Sequence, residues 1–108
     1  MDKTIVENPT RWVFRVGEKY IDIYEGTGDN LLREDIQEGY TGYYNYEIHQ
    51  DTPVTQIVSE QPEGDCDGGM YMVKEPYHTF TTEKIQTVFK EYLKDDVDDT
   101  SWELIHIE

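Results

Sequence analysis

Basic residues are few in this chain and cysteine is almost absent. Nine Lys and Arg stand against 24 Asp and Glu in 108 residues, a formal net charge of -15. With so few cations no basic stripe can form to neutralise phosphates, which argues against direct nucleic-acid binding. The lone cysteine, Cys66, cannot close an internal disulfide, a usage that fits a reducing cytoplasm. Long apolar runs are missing too. No stretch approaches the roughly 20 residues that a membrane helix needs, and the opening segment MDKTIVENPT has no apolar core of signal-peptide length. The expectation is a cytoplasmic protein with no membrane partner.

What is present argues for a packed core. A length of 108 residues suits a single domain, 1–108, able to bury one core without disulfide or metal. Low hydropathy and high like charge are the signature of disorder. Two Trp, nine Tyr and three Phe in short periodic segments are not. Trp12, Phe14 and Val16 alternate with Arg11, Val13 and Arg15, as in a half-buried strand. After a turn at Gly17-Glu18, Ile21 and Ile23 alternate with Tyr20, Asp22 and Tyr24, so 11–25 reads as a β-hairpin. Asn30 is placed to cap a short helical stretch over Leu31 to Gln37 that Gly39 ends. From Tyr43 onward a third strand sets Tyr44, Tyr46 and Ile48 on one face.

The segment from Asp51 to Gln61 holds the β-branched pairs Val54-Thr55 and Ile57-Val58 between Pro53 and Pro62, which suggests an edge strand or an ordered loop. Residues 62–69 read as loop, and Met70 to Val73 as a further short strand closed by Pro76. The clearest helix starts at Thr81 or Thr82 and runs to about Lys94, with Ile85, Val88, Phe89, Tyr92 and Leu93 in one apolar stripe. Phe80 is placed to staple onto Ile85. Asp95-Asp-Val-Asp-Asp99 breaks it, and Trp102 to Ile107, apolar on both faces, reads as an internal strand. The expected class is α+β: a small antiparallel sheet of four to five strands with one main amphipathic helix, about 82–94, packed on one face.

Catalytic constellations are absent. Gly26-x-Gly28 lacks the third glycine and the strand-to-helix setting of a phosphate loop. Cys66 lies between Asp65 and Asp67, whose charge disfavours the thiolate. His49, His78 and His106 include no pair at the i, i+4 spacing of a helical metal site. Asp65-Cys-Asp67-Gly68 resembles a fragment of a calcium loop without its later ligands. The expectation is therefore a non-enzyme with no cofactor and no metal. A cation-binding domain using the Asp65/Asp67 loop, or His49 and His78, is an alternative.

The carboxylates cluster instead: Glu34, Asp35 and Glu38; Glu60, Glu63, Asp65 and Asp67; then Asp95, Asp96, Asp98 and Asp99. All are expected in loops or turns. Carboxylates two apart on an extended chain stand roughly 6 to 7 Å from one another, about the phosphate spacing of a nucleic-acid strand. Acidic loops also keep proteins soluble, but solubility asks for only about 2 to 8 charges on a small domain. A second signal is Tyr40, Tyr43, Tyr44 and Tyr46, a residue type enriched at recognition surfaces and equally at home packed on a sheet.

Small size, strong acidity, the single Cys66 and the run Asp95 to Asp99 together resemble the acidic inhibitors of phages and mobile elements, the anti-CRISPR and anti-restriction DNA mimics. The resemblance is one of composition and carries no motif. It implies a protein that fills the basic nucleic-acid-binding cleft of a nuclease or similar enzyme. The expected partner-binding residues are Glu34, Asp35, Glu38, Tyr43, Tyr44, Tyr46, Asp95, Asp96, Asp98 and Asp99. An accessory protein docking through the Tyr-rich strand is the other binding alternative.

Overall fold

Alternating side chains on short segments are the raw material of the fold, and the computed structural model describes residues 9–25, 42–59, 66–73, 81–98 and 101–108. Five strands form one antiparallel sheet: β1 (Arg11–Val16), β2 (Lys19–Glu25), β3 (Gly42–Gln50), β4 (Cys66–Val73) and β5 (Glu103–Ile107). Among the described residues two helices accompany it, α1 (Val54–Ser59) and the longer α2 (Thr82–Tyr92). The fold is α+β. In space the strands run β4-β3-β2-β1-β5, so the first four form a meander and β5 returns to the far side of β1. The chain between β4 and β5, which carries α2, must therefore cross the sheet from one edge to the other.

The β1–β2 hairpin pairs Arg11 with Tyr24 and Val16 with Lys19 around a turn at Gly17. Gly17 has φ of 64°, a left-handed conformation that glycine adopts without a Cβ clash. On the α2 side of the sheet Trp12, Phe14 and Val16 line up with Ile21 and Ile23 and with Tyr44 and Ile48, all buried. Ile85 and Phe89, one turn apart on α2, together with the C-cap Leu93 and with Val97 in the turn beyond it, close the core from above. Thr81 caps α2 by accepting a hydrogen bond from the Lys84 N–H at 3.1 Å, as the sequence predicts.

The second face is built differently. Arg11 donates from Nε and Nη2 to the two carboxylate oxygens of Asp22, at 2.9 and 2.6 Å, although Asp22 is only 4% exposed. The same guanidinium donates to the carbonyls of Ile57 and Val58, so it also satisfies the last turn of α1, whose C-terminal carbonyls have no partner within the helix. Val13 and Ile57 are buried on this side, apart from the main cluster. Val13 is thus not on the exposed half of an amphipathic strand.

Three further expectations need correction. Residues 54–59 form a helix rather than an edge strand or loop, because Pro53 sits at its entrance and accepts from the N–H groups of Gln56 and Ile57. A proline there costs no helical hydrogen bond. β4 begins at Cys66 rather than Met70. Its loop-like Asp67-Gly68-Gly69 pairs with Ile48, Glu47 and Tyr46, and Gly69 is there because a Cβ would come within 2.6 Å of the Tyr46 hydroxyl. β5 lies at an edge rather than inside the sheet, with Leu104 exposed and a bulge where its pairing steps from Val13↔His106 to Phe14↔Leu104. The Leu31–Gln37 helix and the Phe80 staple fall outside the described residues.

Candidate functional site

The end of α2 sets the geometry of the acidic run. Leu93 caps the helix, and its carbonyl accepts from the N–H groups of Asp96 and Val97 at 2.9 and 2.8 Å. With Leu93 and Val97 both buried, the turn is pinned from below and Asp95, Asp96 and Asp98 are turned to solvent. Lys19 on β2 donates to the Asp96 carbonyl at 3.1 Å. Carboxylates at a helix C-terminus oppose its dipole, so their placement here does not serve the helix.

A second carboxylate arrives from a different part of the chain. Asp67 pairs with Ile48, and directly opposed residues of antiparallel strands share a face, which puts exposed Asp67 on the α2 side. Between the two acidic groups stands Tyr46. Its phenol is pushed above the ordinary tyrosine value, first by burial and then by the nearby Tyr92, Asp96 and Asp67. Tyr92, 45% exposed, rests edge-on against Tyr46 and Tyr71 with centroids at 5.7 and 4.9 Å, and its hydroxyl donates to the Met70 carbonyl of β4. The result is a corner of the molecule where the edge of the sheet and the end of α2 bring Tyr46, Tyr71 and Tyr92 together, with Asp67 and Asp96 both close enough to act on the Tyr46 phenol and Asp95 and Asp98 exposed on either side of Asp96 in the chain.

The residues expected from sequence divide sharply. Asp95, Asp96 and Asp98 lie at this corner and are exposed. Tyr44 does not belong to any surface: it is fully buried, with Trp12 packed edge-on at 5.7 Å. Its hydroxyl-bearing ring fills the core because Tyr44 falls on the same strand face as Ile48, so a docking role for its side chain is withdrawn. Tyr46 is half-buried against Phe89. Tyr43 pairs with Met72 in the strand ladder. Glu34, Asp35, Glu38 and Asp99 lie outside the described residues, as do Glu60, Glu63 and Asp65.

Asp67 and Gly68 are strand residues rather than loop residues, while Glu63 and Asp65, the other carboxylates of the calcium-loop alternative, lie outside the described residues. Among the described residues no group of three or more His, Cys, Asp or Glu is arranged to hold a metal ion. On the opposite face, His49 is 1% exposed with Nε2 3.2 Å from Glu47 Oε1 but not aligned for a hydrogen bond. Glu47 is engaged by the Tyr24 hydroxyl at 3.0 Å. These groups lie on the sheet's second face.

Sequence reasoning missed the approach of both Asp67 and Asp96 to the Tyr46 phenol and the exposure of Tyr92. Neither had a local signal. Tyr92 lies on the apolar stripe of α2 and looks like core until the helix is seen to end over the sheet edge. No helix among the described residues is long and apolar enough to cross a membrane. Set against protein-family models, curated proteins and solved structures, the chain has no match.

Proposed function

We propose that this protein is an acidic protein-binding module, a non-enzymatic inhibitor that occupies the basic nucleic-acid-binding cleft of a nuclease or similar enzyme by presenting phosphate-like charge. The observation that carries this reading is that Asp67 and Asp96, from segments far apart in sequence, both act on the Tyr46 phenol, with Asp95 and Asp98 exposed beside Asp96 in the chain. Scattered charges would serve solubility alone. Convergent charges raise the local potential and steer a basic partner toward one face. The cost borne by α2, whose negative end faces more negative charge, favours a role outside stability. The exposed ring of Tyr92 adds contact area of the kind enriched at protein interfaces.

The test is to replace Asp95, Asp96, Asp98 and Asp99 together with Asn. Capture of a nucleic-acid enzyme from a host lysate, its elution by rising salt, and its competition by DNA or RNA are the expected behaviour of the native chain. The fourfold variant should fold normally and weaken binding by roughly tenfold or more, since charge pairs across such interfaces carry on the order of 1.5 kcal/mol or above each. Undiminished binding by that variant would overturn the reading.

A further inference from the structure

The two edges of the sheet are not equally protected. β5 is five residues long, carries Glu103, and is broken by a bulge opposite Val13 and Phe14. Short length, charge and bulges are the usual means by which an edge avoids pairing with another chain. β4 has none of these on its central stretch. It pairs with β3 in eight consecutive positions without a shift of register, and its sequence CDGGMYMV contains no Lys, Arg or Pro and a single charge, Asp67. Gly68 and Gly69 carry no side chain of their own and are exposed, and Met70 beside them is 41% exposed, although the Tyr46 ring packs over Gly69 on the α2 side and the Tyr92 hydroxyl donates to the Met70 carbonyl. Among the described residues no strand pairs with its outer side.

We infer that β4 is a docking edge for an extended basic segment of the partner, which adds to the sheet as a further strand. The inference rests on the reading of the protein as a binder of basic surfaces. Main-chain hydrogen bonds to the β4 edge supply affinity in such additions, and alternate side chains supply specificity. Here the alternation is set by the strand itself. Residues of the added segment that share a face with Asp67 lie on the side of the sheet where Asp67 and Asp96 approach Tyr46, and want Lys or Arg. Those on the other face lie beside Met70 and want an apolar side chain. A second copy of this chain is disfavoured as the occupant, because two molecules of charge -15 repel.

The probe is a short synthetic peptide alternating Lys and Val, compared with a peptide of the same composition in which the Lys and Val are segregated into blocks, and with an alternating peptide methylated on its backbone nitrogens. Binding is read by calorimetry, and the site by amide hydrogen exchange of the whole protein. The alternating peptide should bind roughly tenfold more tightly than either control. It should also slow exchange of the amides in 67–72 and leave those of 103–107 unchanged. Equal, salt-sensitive binding of all three peptides without protection of β4 overturns strand addition and leaves the charge-based function standing. No binding of any of them overturns both. Protection of β4 that grows with protein concentration in the absence of peptide assigns the edge to a second copy, and overturns the inference as well.

Discussion

The two faces of this one sheet are held by different physics. Under α2 the burial is apolar and continuous: Trp12, Phe14, Ile21, Ile23 and Tyr44 meet Ile85, Phe89 and Leu93 with no charged group among them. Under α1 the burial is mixed, and a nearly buried carboxylate, Asp22, is tied to Arg11 and through it to the carbonyl end of a six-residue helix. Apolar burial is tolerant of detail and roughly proportional to area. A buried ion pair is conditional: stable when complete, and strongly unfavourable when half is removed. The second face therefore functions as a clasp for α1, while the first supplies the core.

The largest effect should come from the apolar face. Phe89→Ala removes a fully buried ring that touches Tyr46, Tyr71 and Tyr92, and is expected to cost about 3 to 5 kcal/mol in denaturant unfolding. It should also loosen the acidic corner, seen as faster exchange around Tyr46 and Tyr92. Arg11→Met comes next. It leaves Asp22 buried without its cation and the Ile57 and Val58 carbonyls without a donor, at a cost of about 3 kcal/mol. The double variant Arg11→Met with Asp22→Leu should recover most of that loss, because the pair as a whole is close to neutral against an apolar replacement. A double variant as unstable as the single one would mean that α1, rather than Asp22, is what Arg11 holds.

Smaller effects sharpen the same contrast. Thr81→Ala removes the side-chain cap of α2 and should lower stability by about 1 kcal/mol, while Thr81→Ser should retain it. On the polar face the Tyr24 phenol is pushed up to about 12, first by burial and then by its hydrogen bond to Glu47. Its folded-state proton is held more tightly than in the unfolded chain, so the stability it contributes is whole below its ordinary value of 10.0 and declines as pH rises from there toward about 12. Tyr24→Phe should flatten that alkaline slope in pH-dependent unfolding. An unchanged slope would place the loss in another group.

The contrast between faces also explains what could be read from the chain. The hairpin of 11–25 and the helix of α2 were legible because their signals are local. Alternation over Arg11–Val16, the turn glycine Gly17 and the stripe through Ile85 and Phe89 each specify an element without outside help. α1 was not legible, since Val54, Thr55, Ile57 and Val58 favour a strand by propensity. Helix formation there depends on Pro53 at its entrance and on Arg11, distant in sequence, at its exit. β4 was hidden by Gly68 and Gly69, which look like turn residues and are in fact the space that Tyr46 occupies. At the candidate site, composition located the exposed Asp95, Asp96 and Asp98, whereas Tyr44 shows how tyrosine enrichment points equally to core and to surface.

Sequence alone determined the α+β class, the antiparallel hairpin, the capped helix and the large negative charge, because each follows from nearest-neighbour periodicity or from simple counting. Tertiary structure decided the strand order, the exposed edge of β4, the clasp of Arg11 on Asp22 and α1, and the approach of both Asp67 and Asp96 to Tyr46. Those features depend on which strands pair and where a helix ends over a sheet. Such long-range choices are set by the summed burial of many residues, and no single segment of the chain records them.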